Sequence, residues 1–155
     1  MSEFNFKSQS CTSRVQSLRL LSLGLKKETA DMTIHLKEDC KNGWYVTAEP
    51  FYEWEDDLNT LPCLAEPEKI LPAWSLHRLL SMLPRYVRKE YIDFGRKYIA
   101  ALDLIIDEDL CIGYKEGVDE PCYDKIFYAK DIYSSLCDCI EWLIKQGYFN
   151  KEYLV

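Results

Sequence analysis

Three things are scarce in this chain of 155 residues: histidine, glycine and long apolar runs. With only 2 His and no Cys-x-x-Cys pair, a zinc centre has few ligands to draw on. The 6 Gly are scattered singly, so no glycine loop can cradle a phosphate, and they are left to caps and turns. No stretch approaches the ~20 apolar residues that a membrane span needs. The first eleven residues, among them Glu3, Phe4 and Lys7, lack the apolar run of a signal peptide. From these absences we expect a cytoplasmic protein without a membrane partner, a cofactor or a metal.

What is present is an ordinary globular composition, 48% hydrophobic and 29% charged. Aromatics are plentiful, with 11 Tyr, 6 Phe and 4 Trp, and they offer large areas for packing and contact. The 7 Cys are an odd number spread over a mid-sized chain, which reads as reduced thiols serving as small core residues. The net charge of −7 gives no general attraction to phosphate backbones, so nucleic acid is not an expected partner. That average conceals blocks: residues 44–70 and 99–129 each carry −6, while 71–98 carry +4.

Local patterns predict the elements. Thr12-Ser13 is a candidate cap for a first helix with an apolar stripe of Val15, Leu18, Leu21 and Leu25, ending near Gly24. Met32, Ile34 and Leu36 alternate with Thr33, His35 and Lys37. After the Asn42-Gly43 turn signal the alternation resumes at Trp44, Val46 and Ala48, as in a β-hairpin with His35 on its solvated side. Residues 50–74 contain Pro50, Pro62, Pro67 and Pro72, which argue against a continuous helix or a central strand. Ser75 then caps a short helix, Leu76 to Leu83, stopped by Pro84. A meander follows, with strands over 86–92, 97–106 and 110–115, and a brief segment at 126–128 is a candidate last strand. The closing helix runs from Asp131 to Gln146 with Gly147 as its left-handed stop. The fold class expected is α+β, an antiparallel sheet of about five strands with three helices in the order α-β-β-α-β-β-β-α. Residues 1–155 are expected to form a single domain, with 1–11 as a disordered lead and 50–74 as an irregular Pro-rich segment.

Chemistry-bearing groups give little direction. Cys137 and Cys139 lie ~200° apart on a helix and cannot easily share a zinc ion. His77 is expected to face water. Asp107, Glu108 and Asp109 read as a solvated turn, and Asp93-Phe94-Gly95 reads as a turn as well. Arg85, Arg88, Lys89, Arg96 and Lys97, interleaved with Tyr86, Tyr91 and Tyr98, resemble a single-strand binder's surface. Strand alternation divides that set between two faces, and Glu90 and Asp93 dilute it. The segment around Phe51, Tyr52, Glu53, Trp54, Glu55, Asp56 and Asp57 combines large rings with acids beside prolines. We therefore expect no catalytic residues, and a protein-binding site at Phe51, Tyr52, Trp54, Glu55, Asp56 and Asp57.

The stretch Leu71-Pro72-Ala73-Trp74-Ser75-Leu76-His77-Arg78-Leu79-Leu80-Ser81-Met82-Leu83-Pro84 resembles the proline-bounded short helix of small prophage and mobile-element proteins of gut anaerobic bacteria. The close, from Ala129-Lys130-Asp131 to Trp142-Leu143-Ile144-Lys145-Gln146-Gly147-Tyr148, is similar to the terminal helix of the same group. The resemblance implies a bacterial or phage origin and a cytoplasmic location, and it transfers no functional residue. The favoured expectation is a non-catalytic protein that binds an unknown protein partner. The alternatives are an enzyme or small-ligand binder with a pocket between the sheet and the Pro-rich segment, an acidic mimic of nucleic acid, and a homodimer with the aromatics at its seam.

Overall fold

The computed structural model describes residues 9–36, 43–51, 70–106, 111–116 and 123–155; at Leu36, Tyr123 and Asp124 it describes the backbone alone. The elements are helix α1 (Arg14–Ser22), strands β1 (Met32–Leu36), β2 (Trp44–Thr47) and β3 (Ile70–Ala73), and helix α2 (Leu76–Met82). Strands β4 (Tyr86–Asp93), β5 (Arg96–Ile106), β6 (Ile112–Glu116) and β7 (Tyr123–Phe127) follow, and helix α3 (Ile132–Gln146) comes last among the helices. The class is α+β, but the strands form two antiparallel sheets rather than one sheet of about five. One has the order β2-β1-β3 and the other β4-β5-β6-β7. The chain divides into two compact units, with the boundary between Arg78 and Leu79 inside α2.

In the first unit Ser13 caps α1 as expected. Its hydroxyl accepts from the Gln16 amide while the Gln16 side chain accepts from the Ser13 amide, a reciprocal capping box. The expected stripe holds only in part, with Leu25 buried and Leu21 half-buried. Val15 and Leu18 are exposed, and α1 instead buries Ser17 and Leu20. Thr12 explains the inclusion of a serine: its hydroxyl bonds Ser17 Oγ at 2.8 Å and accepts from the Trp74 amide at 3.0 Å. The fully buried Trp74 donates its indole N–H to Thr29 Oγ1 at 2.9 Å, so this large ring leaves no polar atom unsatisfied. Cys11 forms an antiparallel bridge with Ser75 and packs with Ile34, Leu71 and Ala73.

Strand β3 is the unexpected element, because it lies in the Pro-rich segment and contains Pro72. Pro72 pairs opposite Thr33 on an edge strand, where a missing amide can face away from the ladder. Strand β1 is central, and Thr33, Ile34 and His35 are all buried, so both of its faces are covered. This corrects the expectation that His35 faces water.

In the second unit the meander runs as read, with the fourth strand at Tyr123–Phe127. Asp131 caps α3 by accepting from the Ser134 amide at 2.9 Å, and Gly147 ends it at φ +75°. Helix α3 places Trp142 against Tyr114 of β6 and Phe127 of β7, with ring centroids 5.8 Å away in each case. The Tyr114 hydroxyl donates to the Pro84 carbonyl at 2.8 Å. Gly113 is required by close approach, since a Cβ there would lie 2.6 Å from the Lys125 carbonyl oxygen.

Candidate functional site

Of the residues expected to bind a protein, Phe51 is described and is buried, at 8% exposure. Tyr52, Trp54, Glu55, Asp56 and Asp57 lie outside the described residues, as do most acids of the two negative blocks.

The groups with reactive potential are largely withdrawn from solvent. Cys11, Cys111, Cys137 and Cys139 are buried thiols. Burial pushes the Cys11 thiol up, and it pushes the Cys139 thiol up to about 12, with the Asp138 charge adding to the effect. A thiol held protonated is a poor nucleophile. His35 stacks on Tyr45 at 4.8 Å and its Nε2 bonds Thr47 Oγ1 at 3.0 Å. Burial holds its imidazole below the ordinary range, against a smaller opposing pull from Glu49. His77 is exposed, as expected. Among the described residues no group of three or more His, Cys, Asp or Glu is placed to hold a metal ion. Nor is any described helix long and apolar enough to cross a membrane.

Two surface features remain. The first is a groove of about 340 Å³ in the first unit, where Cys11, Ile34, Trp44 and Val46 supply apolar walls. Arg14 lies over the Trp44 ring with its guanidinium carbon 5.2 Å from the centroid, a cation–π contact at the rim.

The second is the β4–β5 hairpin of the second unit, and it is the more unusual. A half-buried sheet should show one apolar face and one polar face. Val87, Ala100 and Leu102 are buried on one side of this ladder. The opposite side carries Tyr86, Arg88, Glu90 and Ile92 from β4 facing Asp103, Ala101, Ile99 and Lys97 from β5. All eight are exposed, yet the side is not uniformly polar: Ile92 is 80% and Ile99 63% exposed. Lys97 reaches Glu90 at 2.7 Å across this open face. On the other side Tyr91 and Tyr98 stack with centroids 5.3 Å apart, and Lys89 lies over the Tyr91 ring.

The turn sets the hairpin's apex. Phe94 at φ +44° and Gly95 at φ +75° form a two-residue connection with both residues left-handed, as in a type I′ turn. Glycine suits that geometry, but a bulky aromatic does not, and Phe94 is 99% exposed. A strained, solvent-facing ring at the tip of a hairpin contributes nothing to the core. The basic residues are divided as alternation requires: Arg88 and Lys97 lie on the open face, Lys89 and Arg96 on the other. In the sequence Asp93-Phe94-Gly95 reads as a turn and the cations as a diluted patch. The site escapes that reading because alternation does not record which side of the sheet is left uncovered, and so does not show that Ile92 and Ile99 are exposed.

Comparison with protein-family models, with curated proteins and with solved structures finds no match to this chain.

Proposed function

We propose that this protein is a non-catalytic binding protein, and that the apex of the β4–β5 hairpin is its contact element for another protein. The observation that carries the reading is Phe94, an aromatic ring at positive φ and almost fully exposed, flanked by exposed Ile92 and Ile99. Backbone strain that brings the core no benefit is commonly retained at functional sites, and exposed apolar clusters rimmed by polar residues mark interaction surfaces. On the hairpin Arg88, Lys89, Arg96 and Lys97 outnumber Glu90 and Asp93, an excess of cations that favours a partner with an apolar pocket and an acidic rim. The burial of the four described thiols and of the His35 imidazole fits this reading better than an enzymatic one. Tyr52, Trp54, Glu55, Asp56 and Asp57 are kept as a second contact element, on their composition alone.

The test is site-specific photo-cross-linking in the native cell, with the photoreactive side chain placed in turn at Phe94, at Trp54 and at the exposed control Val155. The reading expects one discrete adduct from position 94 that position 155 does not give. An adduct from position 54 alone would move the contact to the acidic segment, and no specific adduct from either would remove the proposal. A small-ligand reading is favoured by one observation, the groove beside Trp44, whose size lies within the range of ligand pockets, roughly 300–1,000 Å³.

A further inference from the structure

Strand β4 ends its sheet. Its one neighbour in the order β4-β5-β6-β7 is β5, and among the described residues no strand pairs with its other edge. The direction of its free groups follows from the turn. In a two-residue hairpin the pair flanking the turn, Asp93 and Arg96, is hydrogen-bonded, so alternate residues bond inward to β5. The Leu104 amide donating to the Arg85 carbonyl at 2.8 Å confirms that parity. Arg85, Val87, Lys89, Tyr91 and Asp93 are thus turned to β5. Tyr86, Arg88, Glu90 and Ile92 direct their amides and carbonyls outward, with their side chains on the open face. An eight-residue edge of this kind is a template for another strand, and natural proteins usually blunt or cover it.

The order of residues along the edge specifies what fits. For an antiparallel copy of the same strand, only registers that oppose two outward-directed residues can form the ladder. Centring the two-fold axis on Lys89 places Arg88 opposite Glu90 of the second copy, and Glu90 opposite its Arg88. Tyr86 then meets Ile92 of the second copy, and each of these pairs occurs twice. On the other face Val87 meets Tyr91 and Arg85 meets Asp93. The Lys89–Lys89 contact at the axis is the only like-charge pair in this arrangement. Sliding the register by one hydrogen-bonding step in either direction also leaves one like-charge pair on the axis, Arg88–Arg88 or Glu90–Glu90, but forfeits both Arg88–Glu90 pairs, so the register centred on Lys89 is the favoured one. The strand is complementary to its own reverse.

We infer that two copies of this protein associate through antiparallel pairing of β4 with β4, centred on Lys89, to form one continuous eight-stranded sheet. The interface is isologous, as closed two-fold dimers require. Because local two-folds in an antiparallel sheet run perpendicular to it, both open faces lie on the same side, and the two apices carrying Phe94 point in opposite directions. The inference goes beyond the binding reading above and stands whether or not Phe94 takes a partner. Strand β7, at the far edge, is a poorer template: it has five residues, and its pairing with β6 carries a register shift at Tyr114/Lys115.

Sedimentation of the full chain over a concentration series tests it, with R88E, E90R and their equimolar mixture. The wild-type chain is expected to sediment as a dimer at the upper concentrations. Each variant alone should associate at least about tenfold more weakly, because like charges then face each other twice across the axis. The mixture should regain dimers, since each variant supplies the charge that the other lacks. Thermal unfolding of each variant separates a failure to pair from a failure to fold. A wild-type chain that stays monomeric throughout, single variants that dimerise undiminished while folded, or a mixture that fails to recover would each overturn the inference.

Discussion

His35 illustrates how one residue can link burial to a measurable property. It sits on β1 with 4% of its surface exposed, and burial holds its imidazole below the ordinary value near 6.5. As pH falls below about 6.5 the unfolded chain takes up a proton that the folded chain resists, so the folded state loses stability towards acid. The contribution is complete above the unfolded value and declines through the window beneath it. Urea midpoints measured between about pH 7.5 and 5.5 should therefore fall for the wild-type chain, and fall less steeply for His35→Gln. Equal slopes would mean that the imidazole takes up its proton as readily in the fold as in the unfolded chain. The sequence places His35 correctly in an alternating strand but in the wrong environment. Alternation reports which residues share a face, not whether a second layer covers it, and Thr33, at 0% exposure on the same side, shows that one does.

Among the elements, those whose beginning and end are written in local chemistry were legible. Ser13 with Gln16, Asp131 with Ser134, and Gly147 at positive φ each fix a helix terminus through contacts within a few residues. The strands of the meander were legible for a similar reason, since short turns separate alternating runs. Strand β3 was not, because Pro72 reads as a strand breaker unless one knows that its edge faces away from the ladder. The buried side of α1 was missed because Ser17 is buried through a hydroxyl contact with Thr12, which no apolar pattern reveals. The hairpin apex offers a prediction at this scale. Phe94→Asn replaces a ring by the residue that best tolerates left-handed geometry before glycine, so it should raise stability by roughly 0.5–1 kcal/mol. The same change should abolish cross-linking from a neighbouring position such as Ile92. A rise in the urea midpoint, with the adduct from position 92 abolished, would identify Phe94 as retained for binding. A fall in the midpoint would show that the ring supports the fold.

For the whole molecule, the α+β class was legible from the succession of patterns, whereas the division of the seven described strands into two sheets was not. Connections between strands do not record which strands pair: β3 returns to β1 rather than extending towards β4, and that choice is made by long-range packing of Ile34, Leu71 and Ala73. The candidate site was less legible still. Its cations, tyrosines and turn stand out in the sequence, but Ile92 and Ile99 do not, and their exposure on an uncovered face is a property of the assembled sheet. The central claim is that this face and its edge are open. Amide hydrogen exchange along β4, followed in dilute and in concentrated solution, addresses this most directly. When the chain is dilute, the amides of Arg88, Glu90 and Ile92 should exchange quickly while those of Lys89 and Tyr91 are protected, and at high concentration the first group should become protected too. Uniform protection along β4 in dilute solution would mean that the edge is already covered, and would contradict the claim.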